Sequence, residues 1–454
     1  MSTPIAQLRS SLDGRVTVPG DAGYDQARKV FYGKWDRRPA VIVRPATAGE
    51  VARVVTLAAE SGAELAVRSG GHSLAGHSLS DGGIVLDLGE LTALDLDLAA
   101  RTAWAQTGLT AGAYTEAVGG HGLVTGFGDT ASVGIGGLTL GGGVGFLVRR
   151  FGLTIDSLLA AELVTADGRI LRVDGERYPD LFWAIRGGGG NFGVATRLQF
   201  RLHELPSVVG GMLLLPGSPE VIEGLVAAAF AAPEELSMIA NVMVAPPMPF
   251  IPAELHGQMV VMALLAYAGE AAAGERALAP FRALAPPLAD MLQPMPYAGL
   301  LQGDDDMEVI EESARSLFCD TVDATAAKTV VEHLEASTAS MAVAQLRVLG
   351  GAMARVPAAA TAFAHRRRPM MAGVGCVYED AADRPVHDAW ADRFAAALRQ
   401  GDPGVYVNFL SDEGSERVRE AYPGPTWDRL VEVKRRYDPG NLFHRNQNIP
   451  PGPA

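Results

Sequence analysis

Seven of the thirteen residues at 133–145, VGIGGLTLGGGVG, are glycine, and this run constrains the chain more than any other stretch. Glycine loses the most backbone freedom on folding and costs a helix about 1 kcal/mol per position relative to alanine. Propensity for regular structure does not explain such a density. Close approach of backbone to a ligand is the usual reason for one. Two other glycine turns lie either side of it, Arg68-Ser69-Gly70-Gly71-His72-Ser73 and Gly187-Gly188-Gly189-Gly190-Asn191-Phe192-Gly193.

The pattern around these turns mixes strands and helices. Residues 40–43 read as a short apolar strand. Thr47 and Glu50 then form a capping box, and Val51, Val54, Val55 and Ala58 mark one buried helix face. Gly62 suits a left-handed stop, and 65–67 is the next strand, ending at the histidine turn. Further strands are expected at 84–88, 103–106, 158–165, 169–173 and 194–202, and helices at 110–121 and 178–186. The letters Gly188-x-Gly190-x-x-Gly193 match a dinucleotide fingerprint, but a helix precedes them and a strand follows. A Rossmann loop needs the reverse order, so that reading is set aside. His72 alone is a loop histidine. Two separated glycine turns facing one another instead suit a long cofactor with a pyrophosphate, which successive backbone N–H groups bind.

Texture divides the chain at 206 and 405. Residues 207–405 are rich in alanine, proline and methionine, with helices expected at 218–230 and 272–284. From Tyr406 the earlier style returns, with a helix at 426–437 closed by Asp438-Pro439-Gly440. The net charge of −14 argues against a nucleic-acid partner, and the basic cluster His365-Arg366-Arg367-Arg368 reads as solvated or locally paired. Cys319 and Cys376 are the only cysteines and are far apart, so neither a disulfide framework nor a zinc site is expected, nor any other metal. The first residues carry no apolar leader core, and no apolar run reaches the ~18 residues a membrane span needs. A cytoplasmic monomer or homodimer without membrane contact is the expectation.

Several motifs occur in a fixed order: RSGGH at 68–72, G-x-G-G-L-T-L-G-G-G at 134–143, DLFWAIRGGGGNFG at 180–193, Y-x-N at 406–408, Y-D-P-x-N-L-F at 437–443 and NQNIP at 446–450. As a set they resemble the berberine-bridge-enzyme-like branch of the vanillyl-alcohol-oxidase (PCMH-type) flavoproteins. Weaker matches in the middle are Gly350-Gly351 and Thr361-Ala-Phe-x-His365-Arg366. The resemblance implies an α+β fold. An FAD-binding domain of two subdomains would comprise 1–206 and the returning segment 406–454. A substrate domain, an antiparallel sheet backed by helices, would occupy 207–405.

It further implies FAD bonded through the His72 ring to the isoalloxazine 8α-methyl. Arg68, Ser69, Gly70, Gly71, Ser73, Val133, Gly134, Gly137, Gly141, Gly142, Val194, Asn446 and Asn448 would hold the cofactor. Doubly linked members carry a cysteine in G-x-C-x-x-V-G, and Thr130 stands at that place in 128–134. Thr130 contacts the flavin without a thioether, so one link is expected, as in members acting on nicotine-type amines or bacterial polyketides. Tyr406 is the candidate base and Asn408 its partner near flavin or substrate; a phenol needs help to act as a base at neutral pH. Tyr297 and Gln302 are candidate pocket residues, whereas His77 and His121 are read as structural.

In relatives the residue at Ile135 lies near the flavin edge that oxygen must reach, and its bulk could slow oxygen. The implied activity is oxidation of an alcohol or amine group of a small-to-medium secondary metabolite. Hydride would pass to flavin N5 and electrons to oxygen, giving hydrogen peroxide. A dehydrogenase with another acceptor, or an oxidative cyclase, is the alternative; a carbohydrate oxidase is a third reading. A non-enzymatic binding protein would be expected to lack these loops.

Overall fold

A computed structural model describes residues 6, 8–10, 12, 15–247, 253–301, 303 and 311–452. Gln302 lies outside the described residues. Three sheets carry most of the architecture.

The first is four-stranded, ordered Val16–Thr17, Val41–Val43, Ile84–Asp87, Leu65–Arg68. Its last three strands are parallel and its first is antiparallel. The helix Ala48–Ser61 crosses between two of them, and its Val51, Val54, Val55 and Ala58 are fully buried against the sheet. Thr47 accepts the Glu50 N–H at 3.2 Å, and Gly62 stops the helix at φ 67°. The Glu50 carboxylate takes the Ala46 N–H at 2.7 Å and not that of Thr47, a one-residue variation on the expected box.

The second sheet is antiparallel, ordered Leu94–Asp97, Thr102–Gln106, Val194–Arg201, Leu158–Val164, Ile170–Asp174. Its apolar face packs on the helices Ala111–Gly119, Pro179–Ala184 and Pro425–Tyr437. The C-terminal segment is therefore built into the core of the first part of the chain. Lys434 fixes this arrangement from a fully buried position. Its Nζ donates to Asp438 at 2.7 Å, to the Asn191 carbonyl at 2.8 Å and to the Phe443 carbonyl at 2.9 Å. Asp438 in turn accepts the Leu442 and Phe443 N–H groups, which sets the course of the chain towards Asn446.

The third and largest sheet draws its strands from 208–378. Its path is Ala289–Asp290, Val208–Pro216, Met259–Tyr267, Leu236–Val244, Met341–Val348, Met370–Tyr378, Glu311–Cys319. Alternation along a strand sends successive side chains to opposite faces. Ala344, Leu346 and Val348 enter the core under the helices Pro219–Ala231, Ala324–Glu335 and Arg384–Leu398. Gln345 and Arg347 point the other way, towards the first two sheets.

Two sequence readings gain detail here. The glycine run is not wholly irregular: Ile135–Gly141 is a helix. Packing overrides propensity because the glycines admit backbone. A Cβ on Gly134 would lie 2.2 Å from the Gly70 nitrogen, and one on Gly145 would lie 1.8 Å from the Phe127 carbonyl oxygen. The basic cluster is split: Arg367 is exposed as expected, whereas His365 and Arg366 are buried. Arg366 is fully buried, bidentate on Asp156 at 2.7 and 2.9 Å and bonded to Thr361. Both cysteines are buried and free, and burial pushes their thiols up to about 12. Among the described residues no helix is long and apolar enough to cross a membrane.

Candidate active site

A cleft of about 380 Å³ opens at the carboxyl end of the Leu65–Arg68 strand and runs between the first two sheets. The turn at 69–73 forms one wall. It can lie there because Gly70 and Gly134 interlock, backbone on backbone, leaving no room for a Cβ on either. Ser69 Oγ ties the turn to the Thr107 carbonyl at 2.5 Å.

His72 stands on this wall. Its Nε2 shares a 2.8 Å hydrogen bond with Ser132 Oγ, and its ring stacks on Phe31 with centroids 4.1 Å apart. A ring held on two sides in this way is fixed in orientation. Thr130 lines the cleft beside it, with Asp129 and Val133.

Tyr406 and Asn408 lie across the cleft. The Tyr406 hydroxyl accepts the Gly143 N–H at 2.8 Å and the Asn408 amide at 2.8 Å. The other Asn408 amide hydrogen goes to the Leu138 carbonyl at 3.0 Å. Both residues therefore hang on the glycine run, Asn408 on its helix and Tyr406 on Gly143 just beyond it. Gly141 explains part of its glycine content, since a Cβ there would lie 1.9 Å from Asn408 Oδ1. Burial pushes the Tyr406 phenol up to about 12, and its two donors only partly oppose that. At neutral pH it is a phenol and not a phenolate, so it donates a hydrogen bond and does not serve as a base by itself.

Ser69, Gly70, Gly71, His72, Ser73, Thr130, Val133, Gly134, Gly137, Val194, Tyr406, Asn408 and Asn446 all line the one cleft. Five expected contacts do not. Arg68 turns away to Asp87 at 2.7 Å and to the Ala27 and Lys29 carbonyls, so it braces the turn from behind. Gly141 sits under Asn408, and Gly142 under Phe363 and Tyr406. Asn448 adjoins the cleft segment without lining it. Tyr297 is packed in an apolar cluster with Phe146 and Leu147. Ile135 also differs from expectation: it is fully buried among Leu109, Ala111 and Leu140, so its bulk faces the core.

Sequence reasoning passed over Ser132, Phe31 and Asp129. Ser132 and Asp129 flank Thr130 in the same aligned stretch, and that adjacency was the available signal. His77, read as structural, lines the cleft, and burial pushes it down to about 4.

The comparisons can now be set beside this geometry. The FAD binding domain family matches residues 39–174, and the berberine and berberine-like family matches 405–450. The chain is 31% identical to (R)-6-hydroxynicotine oxidase of Paenarthrobacter nicotinovorans, over 99% of this chain and 98% of that protein. It belongs to the berberine-bridge-enzyme-like, PCMH-type FAD-linked oxidoreductases. Two solved structures carry the same fold across nearly the whole chain. They are 6-hydroxy-D-nicotine oxidase of Arthrobacter nicotinovorans (TM-score 0.86, 30% identity, 99% of this chain and 100% of that one) and the xylooligosaccharide oxidase of Myceliophthora thermophila with xylobiose (TM-score 0.85, 25% identity, 99% and 100%).

The cleft of this berberine-bridge-enzyme-like protein fits FAD on its own evidence. Gly137 and Gly190 line it with no heavy atom within 4 Å of a built Cβ, leaving backbone bare to a flat or anionic group. The Oδ1 atom of Asn446, on the cleft wall, is buried without a hydrogen-bond partner among the described residues, as an acceptor awaiting one would be.

Proposed function

We propose that this flavoprotein oxidises an alcohol or amine group of a small-to-medium secondary metabolite, with FAD held by a single covalent bond through His72 and oxygen as the final electron acceptor. What carries the reading is the convergence on one cleft of His72, pinned by Ser132 and Phe31, with Thr130 beside it and Tyr406 and Asn408 opposite. Threonine has no thiol, so the thioether of a doubly linked flavin has no donor at that place.

Bound FAD supplies the two-electron oxidation. The protein's share is to hold, orient and exclude water. The turn at 69–73 and the helix Ile135–Gly141 cradle the cofactor, and Asn446 closes it from the C-terminal segment. Tyr406 keeps its proton at neutral pH and donates it as a hydrogen bond into the cleft, oriented by Gly143 and Asn408. The burial of Ile135 in the core removes the steric objection to oxygen. The division at 206 and 405 fits this assignment, since the strands of 208–378 make a separate sheet whose inner face looks at the cleft.

Carbohydrate oxidation is the second reading, favoured by the likeness to a xylooligosaccharide oxidase. Anaerobic mixing with panels of alcohols, amines and oligosaccharides decides between them. An alcohol or amine is expected to bleach the flavin, and air to restore the colour with release of peroxide. Bleaching by oligosaccharides alone would overturn the substrate class. Recovery that needs a dye acceptor would overturn the role of oxygen.

A further inference from the structure

We propose that Asp129, propped by Arg347, reads the polar head of the substrate, and that this charge-compensated pair selects an uncharged hydroxyl. The inference rests on the oxidase reading and narrows its substrate class.

Asp129 is the only carboxylate among the described residues that line the cleft. Its side chain keeps 18% of its exposure, whereas that of Arg347 keeps 5%. The carboxylate is thus presented to the cleft, and the cation lies behind it. Arg347 reaches Asp129 Oδ2 at 2.5 Å from the inner face of the large sheet. The guanidinium cannot swing away easily. Its Nε and Nη2 are both held by Gln345 Oε1, at 2.8 and 2.6 Å, and Gln345 Nε2 is held by Asn241 Oδ1 at 2.9 Å. The guanidinium also lies 5.2 Å from the centroid of Phe409, another lining residue. Its Nη1 is buried with no partner among the described residues, a donor left over beside the cleft.

The pair belongs to the reacting end of the cleft. The charge of Arg347 acts on the Tyr406 hydroxyl, and that of Asp129 acts on Tyr32, which lines the cleft. A carboxylate accepts hydrogen bonds and gives none. A substrate carboxylate has no hydrogen to give it, so it gains no contact with Asp129 and loses its hydration. A substrate ammonium meets Asp129 but also the Arg347 cation just behind it, so little net attraction remains. A hydroxyl gives its hydrogen to Asp129 and can accept from a neighbouring donor, with no charge to desolvate.

The test is isothermal calorimetry, under nitrogen and on the holoenzyme already reduced with dithionite, with benzyl alcohol, benzylamine and benzoate, which share one ring and differ in the head. The wild type is expected to bind benzyl alcohol best and to exclude benzoate. Asp129→Asn, which keeps the shape, is expected to weaken the alcohol about tenfold, the worth of one hydrogen bond, and to admit benzoate. Arg347→Met leaves Asp129 uncompensated and is expected to move preference to benzylamine, while Arg347→Lys restores the wild-type order. Thermal melting checks that each variant is folded. An unchanged order of the three heads in both Asp129→Asn and Arg347→Met, or a wild type that prefers benzylamine or benzoate or takes up none of them, would overturn the proposal. Calorimetry reads binding without turnover, so failure of the charge selection is distinct from failure of the oxidase reading.

Discussion

Tyr406 accepts from the Gly143 N–H and the Asn408 amide, and burial holds its ionisation near 12. Its proton is therefore the one hydrogen it offers to the cleft. Tyr406→Phe is expected to slow flavin reduction by roughly a hundredfold, the lower range for loss of one positioned hydrogen-bond donor. The wild-type rate should show no ionisation assignable to this phenol below about pH 10. Stopped-flow reduction across pH, for both proteins, checks the pair of statements. At the same scale, Gly134 and Gly70 each occupy the space a methyl on the other would need. Gly134→Ala is expected to cost about 2–3 kcal/mol, as overpacking of a rigid site does, and to lower flavin retention with it. Urea unfolding of the two proteins measures the loss.

At the level of elements, the segment 438–449 is clamped onto the glycine turn at 187–193. Lys434 and Asp438 are buried, and between them they hold Asn191, Leu442 and Phe443 and the chain leading to Asn446. Lys434→Met leaves Asp438 charged and unpaired. It is expected to cost about 3–5 kcal/mol, read by denaturant unfolding, with Asp438→Asn in the same background returning part of it. Much of this level was legible in the sequence. The 3.6-residue spacing of Val51, Val54, Val55 and Ala58 gave a helix with the expected cap and stop, because local hydrogen bonds decide both. The glycine run was legible as close backbone approach but not as a helix. What the glycines approach is backbone at Gly70 and Phe127 and the side chains of Thr107, Thr154, Phe363, Tyr406 and Asn408, a tertiary fact that no local pattern encodes. Arg366 was misread for the same reason: its partner Asp156 is over two hundred residues away. Asp129 and Arg347 meet only once the large sheet faces the cleft, so neither residue announced the pair.

For the molecule as a whole, His365 joins the parts. Its Nε2–H donates to the Glu420 carbonyl at 2.9 Å, and its ring packs against Phe318 of the large sheet. Burial pushes it down to about 4 from an ordinary 6.5. Above about pH 6.5 it is neutral folded or unfolded, so it imposes no penalty there. As the pH falls from about 6.5 towards 4, the unfolded chain takes up a proton that the folded one refuses. Stability then drops by up to about 3 kcal/mol from this group. Melting temperatures between pH 7 and 4 should fall more steeply for the wild type than for His365→Gln, and equal slopes would contradict the assignment.

The central claim is that FAD is bonded once, through His72. Acid precipitation of the purified protein followed by mass spectrometry of its peptides tests it most directly. The account predicts a yellow pellet, one FAD adduct on the peptide containing His72 and none on the peptide containing Thr130, with all colour passing to the supernatant in His72→Ala. Flavin released entirely from the wild type, or an adduct that survives in His72→Ala, would contradict it.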